Sequence, residues 1–179
     1  MNSNTSHPQI HTLNRRHFLK GAIAISTMAL PLFGRDSLAA SSIARPKEIP
    51  KDYPGPSERF LNAITSVYQQ EPISDGKVTL NMPVLAENGN SVLLSVHVES
   101  PMNKQQYVKR LRLFAENNPL PEVAAFQLTP HSGTAQISTR IRLSASQIIT
   151  AIATLNDGSH WAGSAFTTIT LPACVEAFV

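Results

Sequence analysis

What this chain lacks narrows its chemistry first. It has a single cysteine, Cys174, which excludes an intramolecular disulfide and any multi-cysteine metal site. Its eight glycines are scattered, so there is no glycine-rich loop to cradle a phosphate and no Gly-x-Ser-x-Gly nucleophile turn. No apolar run approaches the roughly 20 residues of a membrane-spanning helix. Charged residues make up only 15% of the 179, yet 42% are hydrophobic, which excludes a disordered chain and is enough for one sizeable core.

Acidic side chains are scarce at one end only. Residues 1–39 hold Arg15, Arg16, Lys20 and Arg35 against Asp36, while the remainder carries eleven basic and eleven acidic side chains. The sequence pI of 9.2 therefore belongs to the N-terminal segment. The rest has no net charge to recruit nucleic acid.

That segment reads as an export signal. Arg15-Arg16-His17-Phe18-Leu19-Lys20 is followed by a run from Gly21 to Phe33 that is apolar except at Ser26 and Thr27. Ser37-Leu38-Ala39 then places small residues at the two positions a signal peptidase reads. This order predicts a twin-arginine leader over 1–39, a mature N-terminus at Ala40, a periplasmic destination and no membrane anchor after cleavage.

Residues 40–56 read as a linker, because Pro46, Pro50, Pro54 and Pro56 deny helix hydrogen bonds. Ser57 is a candidate N-cap, and Phe60, Leu61, Ile64, Val67 and Tyr68 form one helix face. Pro72 and Asp75-Gly76 end that unit. From Lys77 the period becomes two. Val92, Leu94, Val96 and Val98 share a face; so do Leu111, Leu113 and Ala115, and so do Ile137, Thr139, Ile141 and Leu143. Gln147–Leu155 is apolar on both faces, as in a central strand, and Gly163–Leu171 is the last strand. The expectation over 57–171 is an all-β, immunoglobulin-like antiparallel β-sandwich of about seven strands with a short N-terminal helix. A small barrel is the competing architecture.

Cys174 sits in a terminal arm, 172–179, beyond the strand-stopping Pro172. Three residues past Leu171 carry the thiol roughly 10 Å from the sheet. Such a thiol suits a covalent carrier; the opposed reading is a small hydrophobe tucked against the sandwich. The arm's Val175, Ala177, Phe178 and Val179 suit docking in a groove of this domain or of a partner. No residue near Cys174 activates the sulfur, so an activating base has to come from another protein. His97, His131 and His160 lack metal-ligand spacing and read as solvated side chains. Arg110, Arg112, Arg140 and Arg142 project from the outer faces of two strands. If those strands are neighbours, they form one surface for carboxylates or a small anion. Trp161 reads as a packed turn aromatic. Nothing calls for a cofactor or a metal.

Several stretches, in order, resemble the SoxY family of thiosulfate-oxidation carrier proteins. They are Leu80-Asn81-Met82-Pro83-Val84-Leu85-Ala86-Glu87-Asn88-Gly89, Leu113–Pro121, Ser138-Thr139-Arg140-Ile141-Arg142-Leu143, Asp157-Gly158 and the cysteine of the arm. The resemblance covers about residues 57–174. It implies an immunoglobulin-like sandwich, a periplasmic complex with a SoxZ-like β-sandwich protein, and sulfur intermediates held on Cys174 while other sulfur-oxidation enzymes act on them. It also implies that the chain is no catalyst itself. The arm departs from the family's Gly-Gly-Cys-Gly-Gly. Pro172-Ala173-Cys174-Val175-Glu176 is similar instead to related proteins whose arm reads Ala-Ala-Cys-Ile-Glu, and it is stiffer than a glycine arm. Two other functions stay open: a non-catalytic structural or binding subunit of such a complex, and a periplasmic redox enzyme.

Overall fold

The structure is a computed structural model describing residues 43, 45–46, 48–69 and 71–173. The expected leader, with Arg15 and Arg16, lies outside these residues, as do residues 174–179.

Helix α1 spans Glu58–Tyr68 with Ser57 as its N-cap, where the sequence places it. The Ser57 hydroxyl accepts from the Phe60 N–H at 3.3 Å and donates to the Glu116 carbonyl at 2.6 Å. One side chain thus satisfies a helix-end donor and ties the helix to the strand that ends nearby. Phe60, Ile64 and Tyr68 form the buried face, and Gln69 ends the helix at a φ of 51°.

Among the described residues nine strands follow: β1 (Ile73–Asp75), β2 (Val78–Asn81), β3 (Leu85–Asn88), β4 (Val92–Val98), β5 (Val108–Ala115), β6 (Glu122–Gln127), β7 (Gln136–Ile141), β8 (Gln147–Leu155) and β9 (His160–Leu171). The large sheet runs β1-β9-β8-β5-β6, with β3 also on β9; the small sheet runs β2-β4-β7. The two sheets remain separate, so the fold is an immunoglobulin-like sandwich and not a closed barrel.

Two details differ from the sequence reading. β1 and β3 both pair with β9 in parallel, against an otherwise antiparallel pattern. β1 also occupies Ile73–Asp75, where Pro72 and Asp75-Gly76 were read only as a stop; three residues are too few to show a period.

The core lies between the sheets. Val92, Leu94, Val96 and Val98 of β4 face Leu111 and Leu113 of β5 and Ile149, Ala151 and Ala153 of β8. β8 is buried on both faces, as expected of a central strand. Its second face is covered by α1: Phe60, Ile64 and Tyr68 pack on Phe114, Ile152 and Ala162. Phe114 shares with Arg110 and Arg112 the face of β5 that the alternation assigns to the outside, yet it is fully buried beneath the helix. Each large apolar side chain buried there contributes about 2 kcal/mol.

Where the sheets cross, β9 passes so close to β2 that a Cβ on Gly163 would lie 2.2 Å from the Val78 carbonyl oxygen. Only glycine fits there. The proline-rich segment is not free of the domain: Ile43 packs against the helix cluster, and Tyr53 meets Phe166 edge-on at 5.5 Å.

Burial between the helix and the large sheet pushes the Tyr68 hydroxyl up to about 12 from 10.0, with Arg112 pulling the other way. The folded chain therefore keeps a proton that the unfolded chain loses, and stability should fall as pH rises from 10 to 12. The loss attributable to Tyr68 is roughly 2–3 kcal/mol. Urea denaturation across this window should show the decline, and Tyr68→Phe should reduce its slope.

Candidate functional site

The strongest candidate site in the sequence is the arm, so its base is where geometry matters. β9 delivers the chain to one end of the sandwich. The Leu171 carbonyl accepts from the Gly89 N–H at 2.8 Å, the Leu143 N–H donates to the Gly89 carbonyl at 2.8 Å, and the Ala173 N–H donates to the Leu143 carbonyl at 3.0 Å. These three segments close a clasp. A Cβ on Gly89 would sit 2.4 Å from the Leu143 oxygen and 2.8 Å from the Ala173 nitrogen, so glycine is required at its centre. The Ile169 N–H is held by the Ser146 hydroxyl at 2.9 Å.

Ala173 is consequently buried and bonded to the domain. The arm does not leave at Leu171, as Pro172 alone suggested. Two of the three residues counted as reach are spent inside the clasp, and Cys174, which the sequence reading expects to be the covalent carrier, is the next residue in the chain. Cys174 itself lies outside the described residues. Gly89, Leu143, Leu171, Pro172 and Ala173 all lack ionisable side chains, so the clasp positions the arm without supplying an acid or base.

A polar network braces this end. The Asn118 amide donates to the Arg142 carbonyl at 2.9 Å, while its oxygen accepts from the Ser144 N–H at 3.0 Å and the Gln147 amide at 2.8 Å. Gln147, fully buried, accepts from the Asn117 N–H at 2.7 Å. Next to them the buried Glu116 carboxylate accepts from Arg45 at 2.8 and 3.0 Å and from the Tyr53 hydroxyl at 2.7 Å. Burial, then the bond to Glu116, holds the Tyr53 hydroxyl well above the usual tyrosine range. Arg45 and Glu116 are 71 residues apart, and no local pattern pairs them.

The four arginines do not form one surface. β5 pairs with β6 and β8, whereas β7 pairs with β4 in the other sheet. Arg110 and Arg112 lie on the helix-side face of the large sheet, where Arg112 bridges Glu122 at 3.0 Å. Arg140 and Arg142 instead line an open groove of about 580 Å³ between β6 and β7. Val123, Ala124, Phe126 and Ile141 supply its apolar wall, and Arg140 donates to the Ser91 hydroxyl at 3.3 Å.

The histidines also divide. His97 and His131 are exposed, as expected. His160 is buried at the start of β9, a correction to its reading as a solvated turn residue. Its ring contacts Thr154 at 3.0 Å and Glu71, and lies 4.8 Å from the Tyr68 ring. Trp161 starts that strand too, half-buried under Lys77 at 4.2 Å. Among the described residues no three His, Cys, Asp or Glu side chains converge as a metal-binding group.

The family model of the sulfur oxidation protein SoxY matches residues 64–174. The chain belongs to the SoxY family. It is thus a member of a family of sulfur-oxidation carrier proteins, and the match ends at the cysteine that follows the clasp. No curated protein matches the chain significantly. Among solved structures, a superoxide reductase (neelaredoxin) from Ignicoccus hospitalis is 14% identical over 52% of this chain and 80% of its own, with a TM-score of 0.47. A superoxide reductase from Nanoarchaeum equitans is 11% identical over 52% and 98%, with a TM-score of 0.45. Likenesses this distant carry no argument about the activity of a SoxY chain.

Two outcomes test the site's construction. Gly89→Ala should cost about 2–3 kcal/mol and speed amide exchange at Leu143 and Ala173 before it affects the β8 amides. Arg45→Ala leaves the buried Glu116 charge with Tyr53 and should cost about 2–3 kcal/mol. Arg112→Ala, which breaks the more exposed pair, should cost about 1 kcal/mol or less in the same denaturation assay.

Proposed function

We propose that this chain is a periplasmic sulfur carrier, exported through its Arg15-Arg16 leader, that holds sulfur intermediates covalently on Cys174 while other enzymes oxidise them. The observation that carries this reading is the clasp. It holds the backbone through Ala173, and the next residue is the chain's single thiol, at the end of the family match. A thiol one residue beyond a rigid anchor has a defined point of presentation. The clasp residues supply no acid or base, so activation of the thiol falls to the enzyme that receives it.

Loading joins the Cys174 thiolate to the outer sulfur of thiosulfate or a related compound. The new S–S bond requires removal of two electrons, which pass to an acceptor held by the loading enzyme, and the thiol proton leaves to solvent. A SoxZ-like β-sandwich protein is the proposed stable partner.

The clasp also supports a second reading. An arm anchored to Ala173 and lacking glycine reaches less far than a flexible one, which suits a structural or binding subunit of a SoxYZ-like complex.

Intact-mass analysis of protein purified from sulfur-oxidising cells separates the two. Adducts confined to Cys174, together with lost sulfur oxidation in a Cys174→Ala strain, are expected for the carrier. An unmodified thiol with full activity of that strain would assign the structural role.

A further inference from the structure

We infer that the open side of the sandwich, between β6 and β7, is a docking site for an extended segment of a partner protein in which carboxylate side chains alternate with apolar ones. The segment adds to the free edge of β6, and its carboxylates meet Arg140 and Arg142 across the groove. The inference names the chemistry of a partner and holds whether or not the chain carries sulfur.

The sheet edges are the first support. Among the described residues the two sheets end at β1, β2, β6 and β7. β1 has three residues and β2 four, and edges so short offer little to pair with. β6 has six, Glu122-Val123-Ala124-Ala125-Phe126-Gln127, with neither lysine nor proline to blunt it. Among the described residues it pairs with β5 alone, and antiparallel, so alternate residues direct their N–H and C=O groups away from the sheet. Such a row is a template for an added strand.

The shape of the groove is the second. Val123, Ala124 and Phe126 line it from the large sheet, Thr139 and Ile141 from the small one, around about 580 Å³. Glu122–Phe126 is roughly 17 Å of strand, which suits about five extended residues better than a compact small molecule. Leu120, at the groove's end, is 66% exposed, and Leu93, the register partner of Arg140, is 52% exposed. With the groove walls they extend one apolar surface.

Charge is the third. Arg140 and Arg142 both line the groove and are exposed, and among the described residues neither is in an ion pair. Glu122, the acid of the groove, is already bridged by Arg112 at 3.0 Å. The two arginines are two residues apart, the repeat at which an extended partner presents side chains to one face. Two guanidinium groups beside an apolar, unpaired strand edge favour a segment with carboxylates and repel one with ammonium groups.

The test uses the full chain and two capped peptides of about seven residues, one alternating valine with glutamate and the other valine with lysine. Docking predicts saturable amide shifts at Val123, Ala124, Phe126 and Ile141 with the glutamate peptide, and about tenfold weaker binding of the lysine peptide. Arg140→Glu with Arg142→Glu changes only exposed side chains. It should weaken the glutamate peptide about tenfold, as the loss of two exposed ion pairs does, and make the lysine peptide the better ligand. Unchanged β8 amide shifts check that this variant stays folded. N-methylating every second nitrogen of the glutamate peptide, in one of the two alternations, should abolish binding, because it removes the donors to β6. No saturable shift at millimolar peptide, equal binding of the two peptides, or full binding of both N-methylated forms would overturn the inference. Groove shifts that track protein concentration with no peptide present would assign the groove to a second copy, and overturn it too. So would groove shifts caused by Phe178→Asp with no peptide present, which would assign it to the chain's own C-terminal residues. None of these readouts involves sulfur loading, so the carrier function stands or fails separately.

Discussion

The fold depends on one constraint: the large sheet is apolar on both faces along β8. Ile149, Ala151 and Ala153 point to the small sheet, and Ile152 points the other way, toward α1. Leaving either face in water would forfeit about 25 cal/mol for each Å² of apolar surface. The helix is therefore an obligatory third layer. Its registration is set at its first residue, because Ser57 caps the helix and bonds to the Glu116 carbonyl with the same hydroxyl.

Glu116 is the point where this packing meets the functional end. Its carbonyl anchors the helix, and its carboxylate gathers Arg45 and Tyr53 from the proline-rich segment. The next two residues, Asn117 and Asn118, bond to Gln147 and Ser144 and so fix the β7–β8 connection. Leu143, at the start of that connection, receives Ala173. Hydrogen bonds, joined by one-residue steps of the chain at Glu116–Asn117 and Arg142–Leu143, thus connect the helix cap to the base of the cysteine arm. Buried polar groups are costly unless paired, so this end is rigid because every member is satisfied by another.

The same geometry explains why SoxY membership and an unusual arm coexist. A glycine arm gains reach from backbone freedom. Here the chain is held by direct bonds through Ala173, and reach is exchanged for a fixed point of departure. A groove with apolar walls and two arginines lies near Leu143, where β6 and β7 end two different sheets among the described residues.

Periodicity was enough to read the sandwich, the helix with its Ser57 cap and the central role of Gln147–Leu155, since alternation and 3.6-residue spacing are local consequences of which face is buried. Cys174 and the SoxY motifs were also legible, as residue identities need no folding to be seen. Partners distant in sequence were not. Nothing near Arg45 announces Glu116, nothing around Gly89 announces Leu143 and Ala173, and Phe114 reads as an outward residue until a helix is laid over it. The arginines show the limit most clearly. Two identical strand patterns place Arg110 and Arg112 on one sheet and Arg140 and Arg142 on the other, because strand pairing depends on contacts across the whole chain. The sequence by itself determined which elements form and which residue bears the thiol. Only the tertiary structure decided which elements are neighbours, and with that where the arm is clasped and which groove lies near Leu143.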